Sequence, residues 1–343
     1  MTTIHDDLTA SRPKDHGRAP PNPDAPAHRP WTIRRSMLGI HGVLSLLLLA
    51  FSVAAASSFR SDLSAAQRRL ASIPTEVYAS RHGDIEYRLV GDGPIVLVSH
   101  GVNGGFDHGM RLTDEWGVFG EGYRFLYVSR FGYLKSSLPA EASARLQAAA
   151  YKELLDYLGI DQVFVFGNSA GGPSAMWFAI DYPDRITGLI LHSSAVPGPV
   201  PATMPTPLAE HDFLYWAAIK AAPDLLLGLL LPETIRATLT DQEKAFVIEN
   251  AFMAALPISE RTDGIVFDNR VSTPSVNDVP FARIWAPTLI LQAVDDPHER
   301  EGGRAMAERI AGSEFVGLTG GHFLLRQETR LQAEIARFVA KHR

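Results

Sequence analysis

Residues 163–172 read Val-Phe-Val-Phe-Gly-Asn-Ser-Ala-Gly-Gly, and this stretch decides the predicted fold. Four apolar residues predict a short buried strand, and a Gly-x-Ser-x-Gly pattern follows at once. An apolar helical pattern then covers residues 170–182. A strand, a sharp turn and a helix in this order lift a serine hydroxyl clear of a sheet, with glycines where a Cβ would collide. Ser169 is therefore the candidate nucleophile, and the alternative is a purely structural tight turn.

A serine hydroxyl is a poor nucleophile at neutral pH and needs a base beside it. Residues 314–318 predict a strand, and the glycine-rich loop 319–323 (Thr-Gly-Gly-His-Phe) follows that strand. A histidine on such a loop can lean over the edge of a sheet. His322 is the candidate base. Without the serine turn, it would be interpreted as a surface histidine.

An acid that orients the histidine is expected between the serine and the histidine in chain order. The apolar strand predicted over residues 288–292 is followed by Ala293-Val294-Asp295-Asp296-Pro297. From the residues alone either carboxylate could serve. The proline after Asp296 turns the chain, which favours Asp295 as a solvated turn residue.

Five motifs in this order resemble the α/β-hydrolase fold family over residues 75–340. They are Ser-His-Gly-Val-Asn-Gly-Gly (99–105), Ser-Arg-Phe-Gly-Tyr-Leu-Lys-Ser-Ser (129–137), Gly-Asn-Ser-Ala-Gly-Gly (167–172), Asp-Asp-Pro (295–297) and Gly-Gly-His-Phe (320–323).

The resemblance implies a role for further residues. The family's acid usually stands three residues after a small residue that ends the strand, here Ala293, and this selects Asp296. The resemblance also implies an oxyanion hole made by the backbone N–H groups of Val102 and Ala170. The sequence departs from the family at two positions, because Ser129 stands where Asp is common and Ala293 where Gly is usual.

The pattern of strands and helices agrees with an α/β fold that has a mostly parallel eight-stranded sheet and helices on both faces. A turn signal at residues 80–83 predicts a hairpin between the first two strands. The predicted strands cover residues 76–79, 84–90, 95–99, 125–129, 163–166, 188–192, 288–292 and 314–318, and the predicted helices cover 141–158, 170–182, 300–310 and 330–341.

An insertion over residues 196–281 follows the sixth strand, and proline-rich breakers mark both of its ends. Helical patterns inside it predict a helical lid over the nucleophile. Residues that would line the substrate pocket are Phe213, Trp216, Leu226, Leu230, Phe252 or Met253. Two alternatives are that these side chains only pack the insertion onto the core, or that residues 224–232 dock on a bilayer.

The N-terminal part of the chain divides into three predicted segments before the hydrolase domain of residues 75–343. Residues 1–35 are predicted to be a disordered tail. Residues 36–58 form a transmembrane anchor or signal segment, since residues 37–56 are apolar over one bilayer length. Residues 59–74 form a helical stalk or linker. The small residues 53–56 also permit a cleaved export signal, and a buried soluble helix is the third alternative.

Composition excludes several classes of function. The net charge of −6 offers no basic field for nucleic acid. The absence of cysteine excludes disulfides and thiolate catalysis. The twelve histidines show no pairing typical of a metal site. We therefore expect no metal, no cofactor and no nucleic-acid partner.

The sequence thus predicts a cofactor-independent serine hydrolase that cleaves an ester or related acyl bond of a small molecule. Ser169, His322 and Asp296 would form its triad, and residues 37–56 would anchor it to a membrane. The catalytic domain would lie outside the cytoplasm, or the protein would be exported after signal cleavage. The alternatives are a carbon–carbon bond hydrolase or acyltransferase with the same triad, or a ligand-binding protein without turnover.

Overall fold

The computed structural model describes residues 31–199 and 204–343, and its centre is an eight-stranded sheet. Each strand begins and ends within two residues of the bounds predicted from the sequence. The strands are β1 (Glu76–Ser80), β2 (Gly83–Gly91), β3 (Ile95–Ser99), β4 (Arg124–Val128), β5 (Val163–Asn168), β6 (Ile186–His192), β7 (Thr288–Ala293) and β8 (Glu314–Leu318).

The sheet has the order β1-β2-β4-β3-β5-β6-β7-β8. β1 pairs with β2, and β2 with β4, in antiparallel fashion, whereas all the other pairs are parallel. Every residue of β5 and β7 is buried, as expected for central parallel strands covered on both faces. The carboxyl ends of β3, β5, β7 and β8 therefore meet at one edge, where the loops that carry the predicted site begin.

Twelve helices occur in the described residues. Those outside the insertion are α1 (Trp31–Ser72), α2 (Phe106–Thr113), α3 (Ala144–Tyr157), α4 (Gly172–Asp181), α11 (Pro297–Arg309) and α12 (Glu328–His342). Those inside it are α5 (Thr206–Glu210), α6 (Asp212–Ala221), α7 (Pro223–Leu230), α8 (Glu233–Arg236), α9 (Asp241–Val247) and α10 (Thr262–Phe267). The sequence patterns anticipated most of these helices, but not α2, α5 or α10.

The described part of the chain falls into two compact units, and the second comprises Ser57–Arg343. The predicted disordered tail lies, up to residue 30, outside the described residues, while α1 begins at Trp31 within that predicted segment. α1 then continues without a break to Ser72. One helix, His41–Ser72, is long and apolar enough to cross a membrane. The pair α6 and α7, bent by 94° between the two helices, is together also long and apolar enough.

The predicted stalk is part of the second unit and packs on the insertion. The ring of Phe59 lies 5.3 Å from that of Phe213, edge to face. Trp216 Nε1 donates a hydrogen bond to Asp62 at 2.8 Å. Further along α1, Arg69 donates to the carbonyl oxygen of Ala254 at 2.6 Å. Residues 59–72 therefore support the insertion rather than serve as a free tether.

Two buried arginine–aspartate pairs fasten the insertion to the sheet. Arg261 of the insertion donates to both carboxylate oxygens of Asp107 in α2, at 3.0 Å each. Arg130, which follows β4, pairs with Asp268 of the insertion, and Nη1 lies 2.8 Å from Oδ1. Burial would raise the pKa of Asp107, but the charge of Arg261 leaves it below its usual value. The Asp107 carboxylate is therefore ionised and paired at neutral pH.

Candidate active site

Ser169 stands on the sharp turn between β5 and α4, with a positive φ of 49°. Residues other than glycine rarely adopt a positive φ. A serine held in this conformation indicates a strained turn of the kind found at functional sites. A Cβ on Gly167 would lie 2.8 Å from the Cβ of Ala175, and one on Gly171 would collide with the carbonyl oxygen of Ser99. The two glycines therefore allow the turn to pack tightly between β3 and α4, which exposes the serine.

His322 reaches Ser169 from the loop after β8. Its Nε2 lies 3.0 Å from the Ser169 hydroxyl oxygen, within hydrogen-bond distance. Gly320 and Gly321 have φ values of 110° and 62°, so the loop turns through a region that favours glycine. The sequence-predicted nucleophile and base are thus brought together, although 153 residues separate them.

The carboxylate that meets His322 belongs to Glu299, in the first turn of α11. Glu299 Oε1 lies 2.6 Å from His322 Nδ1, and Oε2 accepts a hydrogen bond from Gln292 Nε2 at 3.1 Å. Both oxygens of the carboxylate are therefore held. This residue was missed by the sequence reasoning, which considered only the two aspartates before the proline.

The structure does not bring Asp296 into hydrogen-bond contact with His322. Asp296 is the N-cap of α11, and its Oδ1 accepts the backbone N–H of Glu299 at 3.0 Å. Because helix α11 begins at Pro297, Asp296 satisfies an otherwise unpaired amide of the first turn. The same turn places Glu299 three residues further on, facing the histidine. The spacing Asp-Pro-x-Glu, an N-cap followed by a residue that favours the first helical position, is the sequence signal for this arrangement.

Asp295 also differs from its predicted role as a solvated turn residue. It is half-buried, and it accepts the backbone N–H groups of Gly320 at 2.7 Å and of Gly321 at 3.1 Å. These bonds hold the loop that carries His322 against the end of β7. The three acids of this segment thus have separate partners: Asp295 binds the loop amides, Asp296 caps α11, and Glu299 contacts His322.

Electrostatics favour the protonated form of His322. Burial would lower its pKa, but the negative charge and hydrogen bond of Glu299 outweigh burial and raise the pKa above 6.5. The carboxylate therefore stabilises an imidazolium, the form that appears when the histidine takes a proton. The adjacent His192 is different, because burial and the charge of His322 lower its pKa to about 3 and keep it neutral.

The loop after β3 lies directly beside the nucleophile. A Cβ on Gly101 would come within 3.1 Å of the Cβ of Ser169. Buried His100 shapes the loop, since its Nδ1 lies 2.7 Å from the carbonyl oxygen of Gly101 and its Nε2 accepts the N–H of Arg130 at 3.0 Å. Val102, one predicted oxyanion donor, lines the same cavity as Ser169. Ala170, the other, is buried at the start of the following turn.

A cavity of about 230 Å³ opens beside Ser169. Its walls combine the loops of the sheet edge with side chains of the insertion, and they are largely apolar: Leu112, Trp116, Val118, Val196, Leu229, Leu230 and Phe323. Among the described residues that line it, none is Lys or Arg. Of the six pocket residues predicted from the insertion, Leu230 lines this cavity, whereas Trp216 packs against Phe59.

The sequence also matches a known protein family over most of its length. The sequence model of the α/β hydrolase fold matches residues 94–328, more than half of the chain. The chain belongs to the α/β-hydrolase fold family.

Named relatives of this chain are hydrolases. The 2-hydroxy-6-oxo-6-phenylhexa-2,4-dienoate hydrolase of Comamonas testosteroni is 36% identical over 110 residues, which are 31% of this chain and 38% of that protein. The 2-hydroxy-6-oxononadienedioate/2-hydroxy-6-oxononatrienedioate hydrolase 2 of Pseudomonas putida is 30% identical over 237 residues, 63% of this chain and 78% of that protein. The chain spans less than two fifths of the length of the relatives that it matches at 36% identity.

A solved structure supports the fold independently. The α/β hydrolase fold protein from Nakamurella multipartita has 26% sequence identity and a TM-score of 0.61, covering 77% of this chain and 98% of that one. The chain thus shares the fold of this family, and its sheet is the eight-stranded, mostly parallel one predicted from the sequence.

One departure from the family pattern has a physical compensation in this chain. Ser129 replaces the usual aspartate, but its hydroxyl donates to the buried carboxylate of Glu86 at 2.9 Å and accepts the N–H of Phe106 at 3.0 Å. A carboxylate from β2 therefore lies next to the position where the family commonly has an aspartate.

The segment after β7 is rich in acidic side chains. Within residues 31–199 and 204–343, no group of three or more His, Asp or Glu side chains is arranged to hold a metal ion. The acids concerned are occupied with the histidine and with backbone amides, as described above.

Proposed function

We propose that this protein is a cofactor-independent serine hydrolase that cleaves an ester or a related acyl bond of a small molecule. The observation that carries the proposal is the hydrogen-bonded series Ser169–His322–Glu299, with separations of 3.0 and 2.6 Å. A nucleophile, a base and an orienting acid in this geometry suit acyl transfer through a covalent intermediate. The intact series also argues against a ligand-binding protein without turnover.

In the proposed reaction, Ser169 Oγ attacks the carbonyl carbon of the substrate while His322 Nε2 takes the hydroxyl proton. Glu299 holds the Nδ1 proton of His322 and stabilises the resulting imidazolium. His322 then protonates the leaving alcohol, which leaves an acyl group on Ser169. Water, deprotonated by the same nitrogen, attacks the acyl group, and the released serine recovers its proton.

The negative oxygen of the tetrahedral intermediate needs hydrogen-bond donors. We assign this role to the backbone N–H groups of Val102 and Ala170, as the family resemblance implies. The close approach of Gly101 to Ser169 supports the first assignment, and the position of Ala170 directly after the nucleophile supports the second. Loss of one such donor typically lowers kcat by about 10²–10³-fold.

Carbon–carbon bond hydrolysis is the second candidate, because the Comamonas and Pseudomonas relatives are named as dienoate and dienedioate hydrolases. Their named substrates carry carboxylate groups, which arginine or lysine would bind. The described lining of the cavity contains neither and is largely apolar. This composition favours an uncharged acyl substrate.

The test compares substrates on one preparation of the protein. We expect hydrolysis of p-nitrophenyl esters of neutral acids, and much slower turnover of a 2-hydroxy-6-oxo-dienoate. The reverse order would replace the ester proposal by carbon–carbon bond hydrolysis. Product analysis with an added alcohol distinguishes acyl transfer, since a transferase would release the exchanged ester in place of the free acid.

We also propose that residues 37–56 anchor the protein in a membrane, with the catalytic domain outside the cytoplasm. The segment is helical and apolar, and the large apolar side chains of its described part are exposed, for example Leu46 at 66% and Phe51 at 73%. Exposure of so much apolar surface to water is unfavourable. Export after signal cleavage remains the alternative. Mass spectrometry of the mature N-terminus, together with membrane fractionation, separates the two.

Finally, we propose that the insertion is a lid that shapes the substrate pocket. Leu229, Leu230, Ala251 and Thr273 of the insertion line the cavity beside Ser169. No residue of the triad comes from the insertion. Its side chains should therefore set the preference for the acyl group and leave the chemistry unchanged.

A further inference from the structure

The exposed side chains of α6 and α7 are mostly apolar. Phe213, Leu214, Leu225 and Leu229 are 46, 44, 69 and 62% exposed. Single exposed apolar side chains are common on proteins, but a group of large ones on adjoining helices marks an interaction surface.

The two helices are suited to lie on a membrane rather than to cross it. Together the two helices are apolar enough to span a membrane. The side opposite their exposed face, however, is buried within the compact unit Ser57–Arg343, which is called the catalytic unit below. The buried side chains are Tyr215, Trp216, Ile219 and Leu227. A helix pair with one side fixed on protein and an apolar side exposed has the form of an interfacial element.

The place where the chain enters the catalytic unit indicates what covers the apolar face of α6 and α7. The unit begins at Ser57, directly after the apolar residues 37–56. Two residues later, Phe59 packs against Phe213 and Trp216, with ring centroids 5.3 and 5.7 Å away. Because successive Cα atoms are only about 3.8 Å apart, a bilayer that holds residues 37–56 must come close to the surface around Phe59. That surface is α6.

We infer that the exposed apolar face of α6 and α7 docks on the lipid bilayer and that the pocket takes an amphiphilic ester from that bilayer. The inference rests on the proposed ester hydrolysis and membrane anchor. Leu229 connects the two parts, since it is exposed on α7 and also lines the cavity beside Ser169.

The chain contains no cysteine, so single-cysteine variants allow a direct test of docking. The full-length protein is placed in nanodiscs of phosphatidylcholine and phosphatidylglycerol, and Leu214→Cys and Leu225→Cys are labelled with an environment-sensitive fluorophore. Trp285→Cys is the matched control. Trp285 is 78% exposed but precedes β7, at the edge of the sheet opposite the site.

Lipids with brominated acyl chains should quench the label at positions 214 and 225 several-fold more strongly than at position 285. Equal quenching at all three positions would overturn the docking. Since this readout needs no turnover, strong quenching in a protein that hydrolyses no ester would support docking while refuting the proposed function.

A second experiment tests delivery of substrate from the bilayer. The double variant Leu214→Glu with Leu225→Glu should lower kcat/KM roughly tenfold for a long-chain ester dissolved in the nanodisc, because docking depends on the buried apolar area. Hydrolysis of the water-soluble p-nitrophenyl acetate should not change, and Trp285→Glu should change neither rate. Unchanged hydrolysis of the long-chain ester by the double variant would overturn delivery from the bilayer.

Discussion

Oε1 of Glu299 lies 2.6 Å from Nδ1 of His322. Glu299 stands three residues after Asp296, the aspartate that the family spacing selects. The contact fixes which ring nitrogen carries the proton, and leaves Nε2 free to accept one from the serine. Every prediction about the chemistry of the site follows from this pair and from the serine on the other side of the ring.

Ser169→Ala should abolish covalent labelling by a fluorophosphonate probe, because within residues 31–199 and 204–343 no other serine combines such a turn with a histidine at its hydroxyl. Ser194→Ala is the control, since Ser194 also lines the cavity and should keep wild-type labelling when replaced. Gel-based detection of the labelled protein is sufficient. Labelling of the Ser169→Ala variant at the wild-type level would refute the assignment of the nucleophile.

Glu299→Gln should lower kcat by about 10³–10⁴-fold, by analogy with the loss of a triad acid that holds the histidine tautomer. Asp296→Asn should keep most of the activity, because an asparagine can still cap α11. Steady-state kinetics on a p-nitrophenyl ester distinguish the two variants. If Asp296→Asn were the inactive one, the family spacing would have selected the acid correctly.

The pH profile of kcat/KM should report the ionisation of His322. Its raised pKa means that the histidine is protonated, and unable to accept the serine proton, up to a pH above 6.5. Activity should therefore fall as the pH drops through that raised pKa. Replacement of Glu299 by glutamine removes the charge that raises the pKa, so the residual activity should persist to lower pH. An acidic limb at the same pH in both proteins would contradict the contact.

Asp268→Ala should destabilise the fold by about 3–5 kcal/mol, because it leaves the buried Arg130 without its partner. Arg337→Ala is the matched control, since its ion pair with Glu314 is 48% exposed on the arginine side and should contribute at most about 1 kcal/mol. Thermal unfolding of the full-length protein in detergent measures both. A melting temperature for Asp268→Ala equal to that of the control would show that the pair does not hold the insertion.

Leu230→Ala should shift acyl-chain preference towards longer esters, because a shortened side chain widens the cavity. Each methylene that the substrate then buries is worth about 0.8 kcal/mol, or several-fold in the ratio of kcat/KM between long and short esters. Leu225→Ala, on the same helix but outside the cavity lining, should leave the ratio unchanged for water-soluble p-nitrophenyl esters. A shift in both variants would indicate a general loosening of α7.

The sequence predicted the elements governed by local patterns. The strands are short, apolar and bounded by turn residues, so all eight were found within two residues. Ser169 and His322 stand beside glycines that their loops require, and such glycines are visible in a sequence. The structure brings these two side chains together.

The remaining features depend on contacts that a linear pattern does not encode. Asp296 and Glu299 are both acids near the end of β7, and the start of α11 decides which one faces the histidine. The pairs Arg130–Asp268 and Arg261–Asp107 join residues 138 and 154 positions apart, so no local signal relates them. Trp216 has a large apolar side chain of the kind expected in a substrate pocket, but Phe59 and Asp62 of α1 contact it instead.

The two arginine–aspartate pairs beneath the insertion have a consequence for how molecules reach Ser169. Separation of either pair would leave charges without partners in the interior, so swinging the whole insertion away from the sheet is energetically unfavourable. Entry must then rely on small movements of leucine side chains at the mouth. The width of the cavity mouth, rather than the reactivity of the acyl bond, would then determine which molecules reach Ser169.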